Sequence, residues 1–474
     1  MATSSFRDPG GFVLQTDSQI FRVIHDVEAS ALREFLGSKL GQSIVRKGEL
    51  IGSREVCAAD RVRVLDQVAE RVEEWPGTTV LEHDRIWFAS YPYEWPRAML
   101  QEAARITLDL CEELLEGGYG LKDATPNNVL FRGADAVFID ALSIEKRDPR
   151  DPMWRPLAQF LQTFVYPLIL DDATRTPSHE TLFGRREGLS PDELYHRLNW
   201  SQRLRPAALR WASIPKWLGG RQSTASTGTA YRARKMDPAA ARHVLRSTFA
   251  GLRRAIFSVP PMAASKSTWS DYSSHCHYEA ESRAVKRRFV NELVQKMGPG
   301  RVLDLGANDG EYSFLAAQAG HEVVACDIDA TAAGRLWQTA KRENLSVLPL
   351  VANIASPSPA MGWGNQESRS LLQRAEGQFD CVLMLALLHH LTVTERVPLD
   401  EVLTLASRLT ARNLIVEWVS PRDPFYRALL RGREGLHQGD TVEEFERCCQ
   451  RRFRIARKTR VLDGRRWLYS LEKQ

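Results

Sequence analysis

The pattern of apolar and polar residues divides the chain into two ordered blocks with a less regular middle. In the second block, short apolar runs alternate with helical stretches from about residue 301 onward. Such alternation is typical of a parallel sheet with crossover helices, an α/β doubly wound fold. The predicted strands are RVLDLG, EVVACDID, SVLPLVANI, FDCVLMLAL and NLIVEWV, followed by an antiparallel terminal hairpin of FRIARKTRVL and RRWLYSLEK.

The first block mixes short predicted strands with one long helix. FVL and IFRVI are predicted as two strands joined by a turn, and RIWFAS as a later strand. From Pro96 the apolar positions Met99, Ala103, Ile106 and Leu110 recur at helical spacing, and Gly117-Gly118 ends the helix. This part is predicted to be an α+β domain.

Changes in the residue pattern along the chain predict three regions. Residues 1–170 form the first domain, residues 171–261 a helical and irregular extension with a linker, and residues 262–474 the second domain. Because a length of 474 residues allows several domains, this division is compatible with the size of the chain.

Composition excludes several classes of protein. The 64 Lys and Arg against 59 Asp and Glu leave a net charge of +5, so no nucleic-acid partner is expected. No apolar run is long enough for a membrane span, and the N-terminus is not patterned as a secretory signal. The seven cysteines are scattered, which favours a reduced, cytoplasmic chain.

The most specific motif is VLDLGANDGEYS, which follows the first strand of the second block. Gly306 and Gly310 allow a ligand to approach the strand end, and Asn308 tolerates a left-handed backbone between them. Asp304 can accept a hydrogen bond from an amino group. Asp327, at the end of the next strand, suits the hydroxyls of a ribose. These spacings also fit a nicotinamide dinucleotide site, but the G-x-G-x-x-G pattern is absent.

DLGANDG followed by CDID resembles the class I S-adenosylmethionine-dependent methyltransferases, which have a Rossmann-like sheet. The resemblance covers about residues 269–474 and implies S-adenosyl-L-methionine as cofactor. The cofactor-binding residues that it implies are Asp304, Gly306, Ala307, Asn308, Gly310, Asp327, Ile328 and Asn353.

Two further polar side chains are candidates for catalysis. His390, in LLHHL after the fourth strand, is placed to take a proton from a hydroxyl acceptor, since imidazole is suited to this near neutral pH. Glu417, in LIVEWV, is a second candidate at the same rim, with a structural carboxylate as the alternative.

The segment LKDATPNNVLFRGADAVFID carries a second pattern. Asp123 and Asn128 are five residues apart in a polar loop, and Asp140 follows two short strands. This layout resembles the catalytic loop and metal-binding Asp of kinase-like phosphotransferases. The resemblance implies Asp123 as acceptor base, and Asn128 and Asp140 as magnesium ligands beside ATP, if this site is active. Leu121 stands where the kinase pattern has His, and no Gly-rich loop with a Lys–Glu pair is evident.

FASYPYEWPRAML, LKDATPNNVLF and LLHHL together also resemble a bacterial family related to the nodulation protein NoeA. The sequence thus predicts a methyltransferase acting on a small molecule or a glycan hydroxyl. The alternatives are a bifunctional kinase-methyltransferase that modifies a polysaccharide or lipid-linked glycan, and a non-catalytic binding protein with a degenerate kinase-like domain. The sequence does not give the oligomeric state.

Overall fold

The structure is a computed structural model. It describes the chain except residues 1, 6, 8, 9, 17, 74–76, 220–234, 261–276, 431 and 433–439. The predicted boundary at residues 261 and 262 lies outside the described residues. No helix of the described part is long and apolar enough to cross a membrane.

The N-terminal part is built on an antiparallel sheet of five strands. The strands are β1 Ala2–Ser5, β2 Gly11–Gln15, β3 Ile20–His25, β4 Ser53–Glu55 and β5 Thr78–His83, with helices α1 Asp26–Gly37, α2 Lys39–Arg46, α3 Ala58–Asp66 and α4 Ala69–Val72 between them. The strands lie in the order β1-β2-β3-β5-β4. The predicted strand pair FVL and IFRVI is confirmed as β2 and β3.

A long helix, α5 Arg97–Glu116, follows this sheet and confirms the predicted helix and its end at Gly117. Two short hairpin-like pairs come next: β6 Tyr119–Leu121 with β9 Ile144–Lys146, and β7 Val129–Arg132 with β8 Asp135–Phe138. The prediction of RIWFAS as a strand is wrong, because residues 84–91 form a loop after β5. The N-terminal part is an α+β fold, as predicted.

The middle region is helical. It contains α6 Leu157–Phe160, α7 Tyr166–Thr174, α8 Ser178–Leu182, α9 Pro191–Arg197, α10 Trp200–Arg203, α11 Pro206–Ala208, α12 Ile214–Gly219 and α13 Pro238–Phe257. Because α7 runs through the predicted boundary at residue 170, the extension continues the N-terminal part without a break. Helix α13 packs along α5, where Gln101 donates hydrogen bonds to the carbonyls of Ile256 and Val259.

The C-terminal part contains a seven-stranded mixed sheet. Its strands are β10 Arg301–Leu305, β11 Glu322–Asp327, β12 Val347–Val351, β13 Phe379–Met384, β14 Thr410–Val419, β15 Phe453–Val461 and β16 Arg466–Lys473. They lie in the order β12-β11-β10-β13-β14-β16-β15. The first five strands in this order are parallel, and the last two form an antiparallel hairpin, as predicted.

Helices cover this sheet and account for its nearly continuous apolar strands, which are typical of a parallel sheet buried on both faces. The helices are α14 His277–Met297, α15 Glu311–Gln318, α16 Ala330–Glu343, α17 Leu371–Ala375, α18 Leu399–Leu409, α19 Pro424–Leu430 and α20 Val442–Gln450. Helix α15 packs on β10 and β11, α16 on β11 and β12, and α18 on β13 and β14.

The N-terminal and C-terminal parts pack directly against each other. The rings of Trp87 and Phe88 contact Phe379, with ring centroids 5.7 and 5.8 Å apart. Trp337 of α16 donates from its indole nitrogen to the carbonyl of Ala134, at 3.2 Å. One continuous cluster of buried apolar side chains therefore includes residues of both parts.

Candidate active site

The loop after β10 lies at the carboxyl edge of the parallel sheet, where open α/β folds bind their ligands. Its backbone has a positive φ at Gly306, Asn308 and Gly310, of 75°, 47° and 85°. A Cβ atom on Gly310 would lie 2.6 Å from Cγ of Leu336, so only glycine fits there. The loop ends at α15, which begins at Glu311 and has Gly310 as its N-cap.

Asp327, the last residue of β11, holds this loop in place. One carboxylate oxygen accepts a hydrogen bond from the backbone N–H of Asn308 at 2.7 Å, and the other accepts from the N–H of Asp329 at 2.8 Å. Burial raises the pKa of the Asp327 carboxyl. Each oxygen still has a second lone pair, so the carboxylate can also receive two hydroxyl donors from a ligand.

Ile328 directly follows Asp327 in the sequence. Its apolar side chain is 60% exposed to solvent. Asn353 lies after β12, and its side-chain oxygen accepts from the N–H of Ala355 at 2.9 Å. The carboxyl ends of β11 and β12 meet here, because the N–H of Ala352 donates to the carbonyl of Asp327. The three side chains thus border one edge of the sheet.

Asp304 lies inside the protein rather than at the surface of the loop. It is 2% exposed and accepts a hydrogen bond from the hydroxyl of Ser313, the two oxygens being 2.6 Å apart. Burial raises the pKa of the Asp304 carboxyl to about 6, against the lowering effect of Ser313. The hydrogen bond between Asp304 and Ser313 connects β10 to the first turn of α15.

The segment that leaves β13 faces the glycine loop. Leu387 lies 3.4 Å from the position of a Cβ atom on Gly306. The preceding residue, Ala386, has a φ of 52°, an uncommon conformation for a residue with a side chain. The N–H of Ala386 donates to Glu417 at 3.0 Å, which holds this turn on the end of β14.

Glu417 is fully buried and its carboxylate is surrounded by cations. It forms ion pairs with Lys286 of α14 and with Arg466 of β16, at 2.6 and 3.5 Å. Arg466 in turn binds Asp423. A carboxylate with these partners is better placed to fix the turn at Ala386 than to exchange a proton with a substrate.

His389 and His390 follow this turn, with ring centroids 4.2 Å apart. His389 is 3% exposed, and its Nδ1 has no hydrogen-bond partner among the described residues. Burial, and then the charge of Arg466, lowers the pKa of His390 below its usual 6.5. The pKa of His389 is lowered well below 6.5 for the same first reason, so both rings are neutral near pH 7.

A cavity of about 510 Å³ opens beside His389. Its walls combine apolar and aromatic side chains with carboxylates and arginines, contributed by the end of β14 and by α18, α19 and α20. Among them are Trp418, Tyr426, Asp440 and Glu444. Sequence reasoning missed these residues, because they come from segments without a motif and are brought together only by the fold. The LLHHL motif alone marked this region.

The residues of the kinase-like pattern also come together. The side-chain nitrogen of Asn128 donates to the carbonyl of Asp123 at 3.4 Å, and the N–H of Ile139 donates to the carbonyl of Asn128. Asp140 forms an ion pair with Arg22 of β3, at 2.9 Å. Within the described residues, no group of three or more His, Cys, Asp or Glu side chains is arranged to hold a metal ion. The kinase-like function and the magnesium ligands stay predictions.

Comparison with known proteins agrees with the geometry of the C-terminal part. Residues 303–409 match the family model of a methyltransferase domain. Nodulation protein NoeA of Rhizobium meliloti (strain 1021) is 29% identical over 476 residues, which cover 99% of this chain and 95% of NoeA.

Two solved structures are also similar to the chain. Magnesium protoporphyrin IX methyltransferase of Synechocystis PCC 6803, with bound SAH, is 18% identical, and the match covers 43% of this chain and 89% of that one, with a TM-score of 0.31. The bifunctional kinase-methyltransferase WbdD is 22% identical, and the match covers 43% of this chain and 41% of WbdD, with a TM-score of 0.31.

The strand order, the glycine loop and the matched family model agree on one conclusion for this part of the molecule. The C-terminal part of the chain is a methyltransferase domain with a Rossmann-like fold, in a chain that is similar to NoeA along nearly its whole length.

Proposed function

We propose that the protein transfers a methyl group from S-adenosyl-L-methionine to a hydroxyl of a small molecule or glycan. The observation that carries this proposal is the position of Asp327, whose carboxylate is held by two backbone N–H groups beside the glycine loop. A fixed carboxylate at the end of the second parallel strand is the arrangement that binds the two hydroxyls of a ribose.

The other predicted cofactor residues fit the same ligand. The exposed side chain of Ile328 offers an apolar surface for the adenine, and Asn353 borders the same edge of the sheet. Gly306, Ala307, Asn308 and Gly310 form the loop that approaches the methionine part. We assign Asp304 to the support of this loop, since it is buried on Ser313.

The cofactor supplies a methyl group on a positively charged sulfur, so positioning accounts for most of the catalysis. The glycine loop and Leu387 face each other, so a cofactor held by this loop would lie beside the turn that leads to His390. A hydroxyl acceptor must lose a proton during transfer. His390 is neutral near pH 7 and is therefore able to accept it.

The cavity beside His389 supports a polyhydroxylated acceptor. Its volume of about 510 Å³ lies within the usual range for small-molecule sites. Asp440 and Glu444 offer acceptor oxygens for hydroxyl groups, while Trp418 and Tyr426 offer aromatic surface. His389 contributes a buried nitrogen that lacks a partner in the described residues. Glu417 acts by position, through the turn at Ala386, rather than by contact with the acceptor.

The proposal is tested by calorimetric titration of the full chain with S-adenosylhomocysteine. We expect binding by the unaltered chain and a loss of about tenfold or more in affinity in Asp327→Asn, because hydrogen bonds to a charged group contribute about 1.5–3 kcal/mol. Asp309→Asn is the matched control, since Asp309 lies in the same loop but pairs with Arg335 at the surface. Absence of binding by the unaltered chain would refute the proposal.

A second candidate is a kinase activity in the N-terminal part. It is favoured by the clustering of Asp123, Asn128 and Asp140 at the ends of short strands. Asp140 is paired with Arg22, a cation of the chain itself, so magnesium must compete with Arg22. The test is magnesium-dependent binding of ATP by the full chain and by Asp140→Asn. Binding that is lost in the variant supports the kinase, and no binding leaves the N-terminal part as a scaffold.

A further inference from the structure

The middle region contains the longest stretch of the chain without an acidic residue. Between Glu193 and Asp237 there is no acidic residue, whereas the intervening residues 194–236 include nine Lys or Arg and three Trp. The net charge of the whole chain, +5, conceals this concentration. Residues 194–219, the first described part of the segment, form the helices α9 to α12 and belong to the helical middle region.

This segment also leaves apolar side chains in solvent. Of the twelve large apolar side chains that are exposed in the described part of the chain, four lie within residues 200–217. They are Trp200, Leu204, Ile214 and Trp217, and Trp200 is 76% exposed. Single exposed apolar residues are common on protein surfaces, but a cluster of four in one short segment indicates a contact surface.

Hydrogen bonds and a cation–π contact connect the parts of the chain that carry Leu204, Ile214 and Trp217. The hydroxyl of Ser213 donates to the carbonyl of Arg203 at 3.0 Å, which brings the chain at Ile214 beside the chain at Leu204. Arg203 also lies over the ring of Tyr195, 4.0 Å from its centroid, and the indole nitrogen of Trp217 donates to the hydroxyl of the same tyrosine.

The same residues, 194–217, also carry positive charge. Arg197, Arg205 and Arg210 are exposed, and Lys216 lies one residue before Trp217. Arg205 and Lys216 pair with Asp172 and Asp192. The other three of the five cations in residues 194–217 form no ion pair with the described residues, and two of these three, Arg203 and Arg210, lie over aromatic rings. The surface therefore combines indole rings, aliphatic side chains and an excess of positive charge.

We propose that this surface, formed by residues 194–217, docks the protein on an anionic lipid membrane. Indole rings flanked by Arg and Lys are favoured at the membrane interface, and basic residues near an anionic surface add electrostatic attraction. A single-stranded nucleic acid would use the charges and the indoles, but it offers no partner for Leu204 and Ile214, whereas acyl chains do. Peripheral docking of this kind requires no membrane-spanning helix.

The test is sedimentation of the full chain with vesicles of phosphatidylcholine alone or of phosphatidylcholine mixed with phosphatidylglycerol. We expect binding to the mixed vesicles only, with a decrease at high salt. Trp200→Ser with Leu204→Ser should weaken this binding about tenfold, while Trp363→Ser should not change it. Trp363 is the matched control because it is 74% exposed but lies in the methyltransferase domain.

Arg197→Gln tests the charge separately from the apolar side chains, and should weaken the binding without altering thermal unfolding. Equal binding to both kinds of vesicle, or none to either, would overturn the proposal. So would tighter binding to a single-stranded oligonucleotide that the Trp200 and Leu204 variant loses, or a self-association that the same variant abolishes. Since none of these measurements depends on methyl transfer, their outcome is independent of the proposed activity.

Discussion

Glu94 of the N-terminal part and Arg374 of α17 form an ion pair in the interior of the protein, with side chains that are 1% and 4% exposed. Glu94 also accepts a hydrogen bond from the hydroxyl of Ser358, in the segment that follows Asn353. The guanidinium of Arg374 lies over the ring of Tyr91, 4.7 Å from its centroid. The two parts of the chain are thus joined by a desolvated charge pair as well as by apolar packing.

The first prediction concerns this pair. Glu94→Gln leaves the charge of Arg374 buried without a counter-charge, and breaking a buried pair in this way costs about 3–5 kcal/mol. We expect the free energy of unfolding of the full chain to fall by about that amount in denaturant titrations. Glu376→Gln is the control, because its pair with Arg408 is half exposed on both sides and should change the free energy of unfolding little. An equal decrease in the free energy of unfolding in the two variants would show that the buried pair of Glu94 and Arg374 does not stabilise the protein more than a surface pair.

The contacts of the same interface show why part of the fold could not be predicted. The runs that became β10 to β14, and the helix at residues 97–116, were predictable because their apolar spacing reports burial within one sheet or one helix face. RIWFAS is equally apolar, but Ile86 and Phe88 are buried, and Trp87 is partly buried, by tertiary contacts. Trp87 and Phe88 contact Phe379 of the other part. An apolar pattern does not distinguish burial within one sheet or helix face from burial by tertiary contacts. The division of the chain into residues 1–170, 171–261 and 262–474 stays a prediction.

The candidate site likewise has one part that could be predicted from the sequence and one part that could not. Asp327 and the glycine loop could be predicted, since one strand end and the turn beside it carry their signal within a few residues of sequence. The cavity could not, because Trp418, Tyr426 and Asp440 follow no shared spacing and meet only at the ends of different elements. Glu417 was predicted from its position at a strand end, yet its burial between Lys286 and Arg466 depends on partners more than 40 residues away.

The second prediction concerns Asp304. Its folded pKa of about 6 lies above its ordinary value of 3.8, so the folded state holds this proton more tightly than the unfolded state does. Its contribution to stability is therefore full below about pH 4 and is lost as the pH rises through about 6, a change of about 3 kcal/mol. Asp304→Asn removes this ionisation. We expect the stability of the variant relative to the unaltered chain to increase between about pH 4 and pH 7.

Denaturant titrations of both proteins across this pH range measure the difference directly. The side-chain oxygen of the introduced asparagine can still accept the hydrogen bond from Ser313, so the local packing is kept. Parallel stability curves for the variant and the unaltered chain would show that Asp304 does not titrate in this range. In the proposed function, Asp304 supports the loop through this hydrogen bond, and because the variant keeps it, S-adenosylhomocysteine should bind to the variant and to the unaltered chain alike.

The third prediction compares two glycines with the same backbone conformation. Gly310 and Gly377 have φ angles of 85° and 67°, but a Cβ atom on Gly310 would meet Leu336 at 2.6 Å, whereas one on Gly377 would meet no atom within 4 Å. Gly377→Ala should cost only the backbone strain, about 1–2 kcal/mol. Gly310→Ala should cost about 1–3 kcal/mol more from overpacking. Thermal unfolding of the two variants gives this difference, and equal losses would show that the loop yields without strain.

The fourth prediction concerns the pair of histidines. His389 is surrounded by His390, Arg466, Lys286 and Tyr426, and burial is the main cause that lowers its pKa well below 6.5. A lowered folded pKa stabilises the protein above the unfolded pKa of about 6.5, and this contribution is lost as the pH falls below that value. His389→Asn should therefore lose less stability than the unaltered chain between about pH 7 and pH 5.

Denaturant titrations at a series of pH values test this effect. Relative to the unaltered chain, His389→Asn should become more stable as the pH falls, and Asp304→Asn should become more stable as the pH rises. The two variants therefore change the pH dependence of stability in opposite directions. A general loss of packing would lower stability at every pH and would not produce opposite slopes. If the His389 variant kept the acid sensitivity of the unaltered chain, His389 would have to protonate within the folded protein, and the cavity beside it would then hold a cation near neutral pH.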